Sequence, residues 1–167
     1  MTEQRETRLL AEYLAERWAG TPLRMNVPLG PVAETLTAAL GARAIGWARP
    51  FRPEVDAVIL PGGKMLLVEA KILSVIDGIA KLPVYGGLVD STPELLPFRG
   101  LPRELIVVCP WSSEHVLAMA RTVGVEVAVF RPAWIEGYLE QRMLYWTADY
   151  RRNREQKRAL RKQLGVD

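Results

Sequence analysis

The chain has 167 residues, of which 49% are hydrophobic and 25% are charged, and its formal net charge is +3 at pH 7. This length and composition predict one globular domain with a substantial core and argue against general disorder. The longest apolar runs stop well short of the roughly 18 residues that a membrane-spanning helix needs, and the charged N-terminus does not fit a signal peptide. One cysteine and one histidine exclude a disulfide framework, a cysteine-rich zinc site and a His-dependent triad. We therefore expect a cytoplasmic protein with no membrane partner.

The first half of the chain predicts two helices and a β-hairpin. Residues 2–20 predict an amphipathic helix that ends at Gly20. Its apolar stripe is formed by Leu9, Leu10, Tyr13 and Leu14. A shorter helix is predicted over residues 31–42, and residues 44–51 are a candidate strand. Two apolar runs joined by a Pro-Gly-Gly-Lys turn then predict a hairpin over residues 55–71.

In the second half, helical and extended patterns alternate. Residues 74–90 predict a helix interrupted by Pro83 and two glycines, and a proline-rich loop follows. The remaining predicted elements are a strand over residues 104–110, a helix over 112–124, a strand over 125–130 and a C-terminal helix over 132–153. The alternation predicts a single α/β domain over residues 1–150, followed by a basic helical extension over residues 151–167.

The C-terminal region carries two features with alternative interpretations. Aromatic and apolar residues recur at helical spacing, and we interpret them as packing residues rather than as surfaces for stacking bases. They are Trp134, Tyr138, Leu139, Trp146 and Tyr150. The basic segment over residues 151–163 is either a solvated helix or a surface that follows a phosphate backbone.

The hairpin raises a question because each of its apolar strands carries a carboxylate. If the turn is centred on residues 62–63, Asp56 lies directly across from Glu69, with Cβ atoms about 4.5–5.5 Å apart. Lys71 lies on the same face as Glu69 and diagonal to Asp56. Two facing anions need a compensating positive charge.

Two sources of that charge fit the pattern. Lys71 alone can balance the pair at a solvated edge of the hairpin. Alternatively, a divalent ion can do so: Mg²⁺ prefers oxygen ligands and retains several waters, which suits two carboxylates and a substrate phosphate. Lys71 would then position or deprotonate an attacking water, and the ion would stabilise charge on the phosphorus oxygens.

The first helix offers a third carboxylate. At about 100° per residue, Glu6 falls near the centre of the apolar stripe and therefore faces inward. A buried carboxylate needs a partner. Its partner is either the same metal ion or Arg17, which projects in nearly the same direction.

This combination resembles the PD-(D/E)XK nuclease superfamily. Its pattern is a helical glutamate, a hairpin bearing Asp and then Glu-x-Lys, a following helix and a further strand. Glu6, Asp56, Glu69 and Lys71 are the matching positions. The resemblance covers roughly residues 3–130.

The resemblance implies a restriction-endonuclease-like core, with a mixed central β-sheet and flanking helices. It also implies Mg²⁺ or Mn²⁺ bound by Asp56, Glu69 and Glu6, catalysis assisted by Lys71, and a metal-dependent DNA phosphodiesterase in a bacterial or phage-infected cell. A glutamine often follows on the next helix in the superfamily, whereas this chain has Lys81 and Tyr85 there.

The residues expected to approach DNA are mostly basic. They are Arg49, Arg52, Lys81, Tyr85, Arg151, Arg152 and Arg154. The competing hypothesis is a catalytically silent protein of the same fold that binds DNA or serves virion assembly or DNA packaging. Such an assembly protein should form a homo-oligomer or bind a partner.

Overall fold

The computed structural model describes residues 2–143 and residues 152, 155, 156, 159 and 160. Its strands are β1 (Leu23–Pro28), β2 (Glu54–Ile59), β3 (Met65–Ala70), β4 (Arg103–Cys109) and β5 (Val125–Val129). Its α-helices are α1 (Thr2–Arg17), α2 (Glu34–Leu40), α3 (Ala44–Ala48), α4 (Val75–Leu88), α5 (Glu114–Thr122) and α6 (Ala133–Met143). In this part of the chain, no helix is both long and apolar enough to cross a bilayer.

The five strands form one mixed sheet in the order β1-β2-β3-β4-β5. The first three strands are antiparallel, and β3, β4 and β5 run parallel to one another. The two parallel connections contain α4 and α5, as expected because parallel neighbours need a crossover. The predicted α/β class with a mixed central sheet and flanking helices is therefore confirmed.

Strand β3 is the central strand of the sheet. All six of its residues are buried, which requires cover on both faces of the sheet. Helix α4 packs against β3 and β4, and α1 also packs against these two strands. The four residues of the apolar stripe predicted for α1 are all buried: Leu9, Leu10, Tyr13 and Leu14.

The hairpin has the register predicted from its turn. The pairs are Ala57 with Val68, Val58 with Leu67, and Ile59 with Leu66. Gly62 and Gly63 both have positive φ, at 77° and 70°, as a tight two-residue turn requires. The turn and the alternation of side chains therefore predict correctly which residues of β2 and β3 lie on the same face of the sheet.

Several predictions outside the hairpin are wrong. The candidate strand over residues 44–51 is α3 followed by a 3-10 turn at Arg49–Phe51. The outer partner of the hairpin is instead β1, which the sequence pattern did not predict because its first four residues are exposed. Helix α4 continues through Pro83 without interruption, and the proline-rich loop contains a 3-10 helix at Pro93–Phe98.

The chain divides into two compact units between Phe130 and Arg131. The first contains the whole sheet and α1–α5, and the second begins with α6. Within α6, Tyr138 is buried. Trp146, Tyr150 and most of the predicted basic extension lie outside the described residues.

Arg52, predicted to approach DNA, is a structural residue instead. Its guanidinium binds both carboxylate oxygens of Glu94, at 2.7 and 2.8 Å, and the carbonyls of Pro28 and Leu29. Only 5% of its side chain is exposed. Burial would raise the pKa of Glu94, but Arg52 lowers it below its ordinary value. The pair joins the end of β1 to the 3-10 helix that follows α4, and we remove Arg52 from the expected DNA contacts.

Loss of this contact should destabilise the fold. We expect Arg52→Ala to reduce the free energy of unfolding by about 3 kcal/mol, because it leaves the Glu94 carboxylate without its buried partner. Arg49→Ala is the matched control: Arg49 is more than half exposed and pairs with Glu54, so its loss should cost less than about 1 kcal/mol. Urea denaturation of both variants checks this, and equal losses would contradict the structural role of Arg52.

Candidate active site

The carboxylates of the hairpin lie side by side on the face of the sheet that α4 covers. The register of β2 and β3, extended by one pair beyond Ala57 and Val68, sets Asp56 opposite Glu69, and one Asp56 oxygen, Oδ2, accepts a hydrogen bond from the Ala70 amide at 2.8 Å. Glu69 is only 2% exposed, and its Oε2 atom is buried without a hydrogen-bond partner. A buried, partnerless carboxylate oxygen is costly, so this atom marks a position where a ligand would be stabilised.

Lys71 joins the hairpin carboxylates to the first helix. Its Nζ lies 3.1 Å from Glu69 Oε1 and 3.7 Å from Glu6 Oε2. The other Glu6 oxygen accepts a hydrogen bond from the Ile72 amide at 3.1 Å. Glu6 therefore faces inward as predicted, but Arg17 is not its partner: Arg17 pairs with Glu16 at 3.4 Å. The structure brings Glu6, Asp56, Glu69 and Lys71 together where β3 ends.

The electrostatics of this cluster favour an added positive charge. Burial raises the pKa of Glu69 above its ordinary value, the charge of Asp56 raises it further, and Lys71 offsets only part of the shift. Burial alone would lower the pKa of Lys71, but Glu69, Glu6 and Asp56 outweigh it and raise that pKa. Lys71 is therefore held as an ammonium, and it does not fully compensate the acidic pair.

The residues present fit a hard divalent cation held by two carboxylates. Asp56 and Glu69 supply oxygen ligands, and the unpartnered Glu69 oxygen is available to a cation. Within the part of the chain that the structure describes, no three histidine, cysteine, aspartate or glutamate side chains are grouped closely enough to hold a metal. Mg²⁺ needs only one or two protein carboxylates because it retains waters. The third predicted ligand, Glu6, is engaged by Lys71 and Ile72.

Helix α4 closes one side of the cluster, and Gly78 makes this possible. A Cβ atom at Gly78 would lie 2.9 Å from Val107 Cγ2, 3.0 Å from Lys71 Cγ and 3.5 Å from Glu69 Cγ. A glycine here therefore lets the helix backbone pack directly on the stems of both residues. The sequence signal was an isolated glycine inside a helical pattern, which typically has a packing reason.

Two predicted residues of α4 lie within electrostatic range of the acidic pair. Burial raises the pKa of Tyr85, and the charges of Glu69 and Asp56 raise it further. Lys81 is exposed, and its charge acts on Glu69 in the direction of a lower pKa. The helix that follows the Glu-x-Lys strand thus brings a phenol and an ammonium to the candidate site.

The other predicted DNA contacts lie outside α4. Arg49 donates to the Asn26 carbonyl at 2.8 Å and to Glu54 at 3.1 Å, and it keeps more than half of its side chain exposed. Arg152 is exposed. Arg151 and Arg154 lie outside the described residues.

Sequence reasoning missed a strained residue next to Asp56. Asn26 falls between the paired residues Met25–Ala57 and Val27–Val55, which places it opposite Asp56. Its φ is 51°, an uncommon value for a residue other than glycine and one often found near functional sites. Nothing in the sequence pattern indicates β1, so this position was not predicted.

Comparisons with known proteins give a partial likeness of fold. No protein-family model matches the chain, and no curated protein sequence matches it. Similar solved structures include a repair endonuclease from Pyrococcus abyssi, with a TM-score of 0.45 and 17% identity over 75% of this chain and 46% of that one. Another is AF1548, a protein of unknown function, with a TM-score of 0.41 and 15% identity over 74% of this chain and 55% of that one. The chain spans about half the length of each of these structures.

Substitution of Gly78 tests whether close helix packing positions the cluster. We expect Gly78→Ala to lower the free energy of unfolding by about 1–3 kcal/mol, because the new methyl group overlaps Val107 and the Lys71 stem. Gly87→Ala is the matched control in the same helix, since a Cβ there meets nothing within 4 Å. Its expected effect is stabilisation by roughly 0.5–1 kcal/mol from the better helix propensity of alanine. Thermal and urea unfolding of both variants measure the difference, and stabilisation by both would contradict the packing argument.

Proposed function

We propose that the protein is a metal-dependent DNA phosphodiesterase. The observation that carries this proposal is the convergence of three carboxylates and one lysine at the end of β3, with a buried Glu69 oxygen that has no partner. Such an incompletely satisfied acidic cluster suits a ligand that brings positive charge. Phosphodiester cleavage then uses the remaining groups of the same cluster.

Each residue has a distinct part in the proposal. Asp56 and Glu69 hold a divalent cation, Mg²⁺ or Mn²⁺, which when bound supplies Lewis-acid stabilisation of charge on the phosphorus oxygens. Lys71, held as an ammonium, donates to a phosphate oxygen or to the attacking water and orients it. Glu6 keeps the Lys71 amine at the site through its 3.7 Å contact and is itself fixed by the Ile72 amide.

The DNA backbone is proposed to approach along the exposed basic residues around the cluster. Lys81 on α4 acts electrostatically on Glu69. Tyr85 on the same helix is buried, so it is not part of this exposed surface. Arg49 comes just before β2 in the chain and keeps more than half of its side chain exposed, and the basic segment over residues 151–163 adds sequence-independent affinity.

A second candidate is a silent protein of this fold that binds DNA or takes part in assembly. The contacts of Lys71 favour it: the ammonium already bridges Glu69 and Glu6 at 3.1 and 3.7 Å, as a purely structural ion-pair cluster would. In that case no cation is needed, and Asp56 is dispensable for any activity. The two candidates differ in metal binding and in DNA cleavage.

Metal binding gives the first prediction of this proposed function. Because the pKa of Glu69 is raised in the folded protein, the metal-free wild type should lose stability as pH rises from about 4.5 through that raised pKa. At pH 7, metal-free Glu69→Gln should therefore unfold at the same temperature as wild type or higher. Addition of Mg²⁺ should raise the wild-type Tm by about 3 °C and leave that of the variant unchanged.

The matched control for this measurement removes a carboxylate elsewhere on the sheet. Glu104 is nearly half exposed and pairs with Lys64 at 2.9 Å, so Glu104→Gln should retain the full Mg²⁺-dependent shift. Differential scanning calorimetry at fixed ionic strength measures all three proteins. An equal Mg²⁺ shift in Glu69→Gln would remove the proposed metal site.

DNA cleavage gives the second prediction. With Mg²⁺ or Mn²⁺, wild type should cut at least one of supercoiled, linear, branched and single-stranded DNA. Lys71→Ala and Glu69→Gln should each lower the rate by about 10²- to 10³-fold, because each removes charge stabilisation at the reacting phosphate. Lys64→Ala is the matched control, a lysine of the same hairpin that pairs with Glu104, and it should cut at the wild-type rate. No cutting by folded wild type, or equal cutting by all variants, would favour the silent protein.

A further inference from the structure

An exposed tryptophan lies at the same edge of the sheet as the candidate active site. Trp111 follows β4 by two residues and is 61% exposed. Its backbone amide donates a hydrogen bond to the Cys109 sulfur, and Cys109 is fully buried at the end of β4. The backbone of Trp111 is thus anchored while its indole faces solvent.

The parallel register of β3 and β4 places this residue near Lys71. Ala70 pairs with Val108, and the Lys71 amide donates to the Val108 carbonyl at 2.8 Å. Lys71 is therefore level with Cys109, the residue that holds the Trp111 amide. Because parallel strands end at the same edge of a sheet, the indole and the Lys71 ammonium are carried by neighbouring strand ends.

Two partly exposed aliphatic side chains also follow the end of β3. Leu73 and Ile76 lie between the end of β3 and the first turn of α4, and about half of each side chain is exposed. Leu73 follows Ala70 by the same number of residues as Trp111 follows Val108. The chain segments that follow the ends of β3 and β4 thus carry an exposed aromatic ring and two half-exposed aliphatic side chains, and the charged cluster lies at the end of β3.

We infer that Trp111 is a stacking surface for an unpaired nucleobase next to the reacting phosphate. This inference rests on the proposed phosphodiesterase and names its substrate class as DNA with a single-stranded region. Bases within a duplex are stacked on each other and present only edges and phosphates, whereas an unpaired base exposes a π-face that an indole binds. The phosphate of that nucleotide occupies the charged part of the site, and its base occupies the apolar border.

Binding without cleavage tests the inference. The probes are a labelled single-stranded 12-mer and a hairpin duplex that contains the same sequence, at fixed ionic strength and with EDTA, measured by fluorescence anisotropy. All proteins carry Glu69→Gln so that none cuts the probe. We expect Trp111→Ala to weaken single-strand binding by roughly 5- to 150-fold, the range for loss of one stacked base. Duplex binding should change by less than about twofold.

Two further variants separate stacking from general effects. Trp111→Phe keeps a ring and should restore most of the single-strand affinity. Trp47, which is 67% exposed on α3, gives the matched control, and Trp47→Ala should leave both affinities unchanged. Unfolding curves establish that each variant is folded.

The outcomes distinguish this inference from the proposed function. If the parent protein does not bind single-stranded DNA, if Trp111→Ala binds as the parent does, or if it loses duplex affinity equally, the stacking surface is wrong. The cleavage assay of the proposed function is separate, because it compares Lys71 and Glu69 variants with Lys64→Ala. Failure of cleavage with the predicted binding pattern would overturn the phosphodiesterase and leave a single-strand-binding surface.

Discussion

The buried carboxyl group of Glu69 is the constraint on which the site depends. Its carboxylate lies in the central strand, where every residue is buried, next to a second carboxylate on β2. An ion removed from water costs several kcal/mol unless its partners compensate. Lys71 provides one such partner at 3.1 Å, and Glu6 reaches the same lysine from α1. The geometry of the first helix and of the hairpin is thus coupled through one ammonium.

The topology of the sheet explains why these groups meet. The antiparallel register of β2 and β3 sets Asp56 across from Glu69, and the alternation of side chains brings Lys71 to the same face. The direction then changes: β4 runs parallel to β3, so the chain must cross over through α4. Because Gly78 has no side chain, this crossover helix packs directly on Glu69 and Lys71. The cluster therefore lies where the antiparallel and parallel halves of the sheet meet.

The sequence predicted the local part of this arrangement well. The hairpin register follows from a short turn, and the inward direction of Glu6 follows from the periodicity of α1, so both depend on residues close together in the chain. The failures depend on distant contacts. The sequence predicts Arg52 as a surface cation, because its partner Glu94 is 42 residues away along the chain. Strand β1 lacks an alternating apolar pattern because it is an edge strand with exposed residues. Residues 44–51 contain apolar and aromatic residues, and the sequence pattern therefore wrongly predicts the strand there.

Two partly buried ion pairs in the structure differ in how completely their charges are satisfied. Arg52 and Glu94 satisfy one another through two hydrogen bonds, and Arg52 also binds two backbone carbonyls. Such a pair is complete within the protein and needs nothing further. Glu69 instead keeps an oxygen without a partner and a raised pKa although Lys71 is adjacent. Replacement of a buried ionic cluster by apolar residues often leaves the stability of a protein unchanged or raises it. The stability of the fold alone therefore does not explain the cluster around Glu69. On the function proposed above, a cation and a phosphate are the ligands that would complete this incomplete cluster at the end of β3.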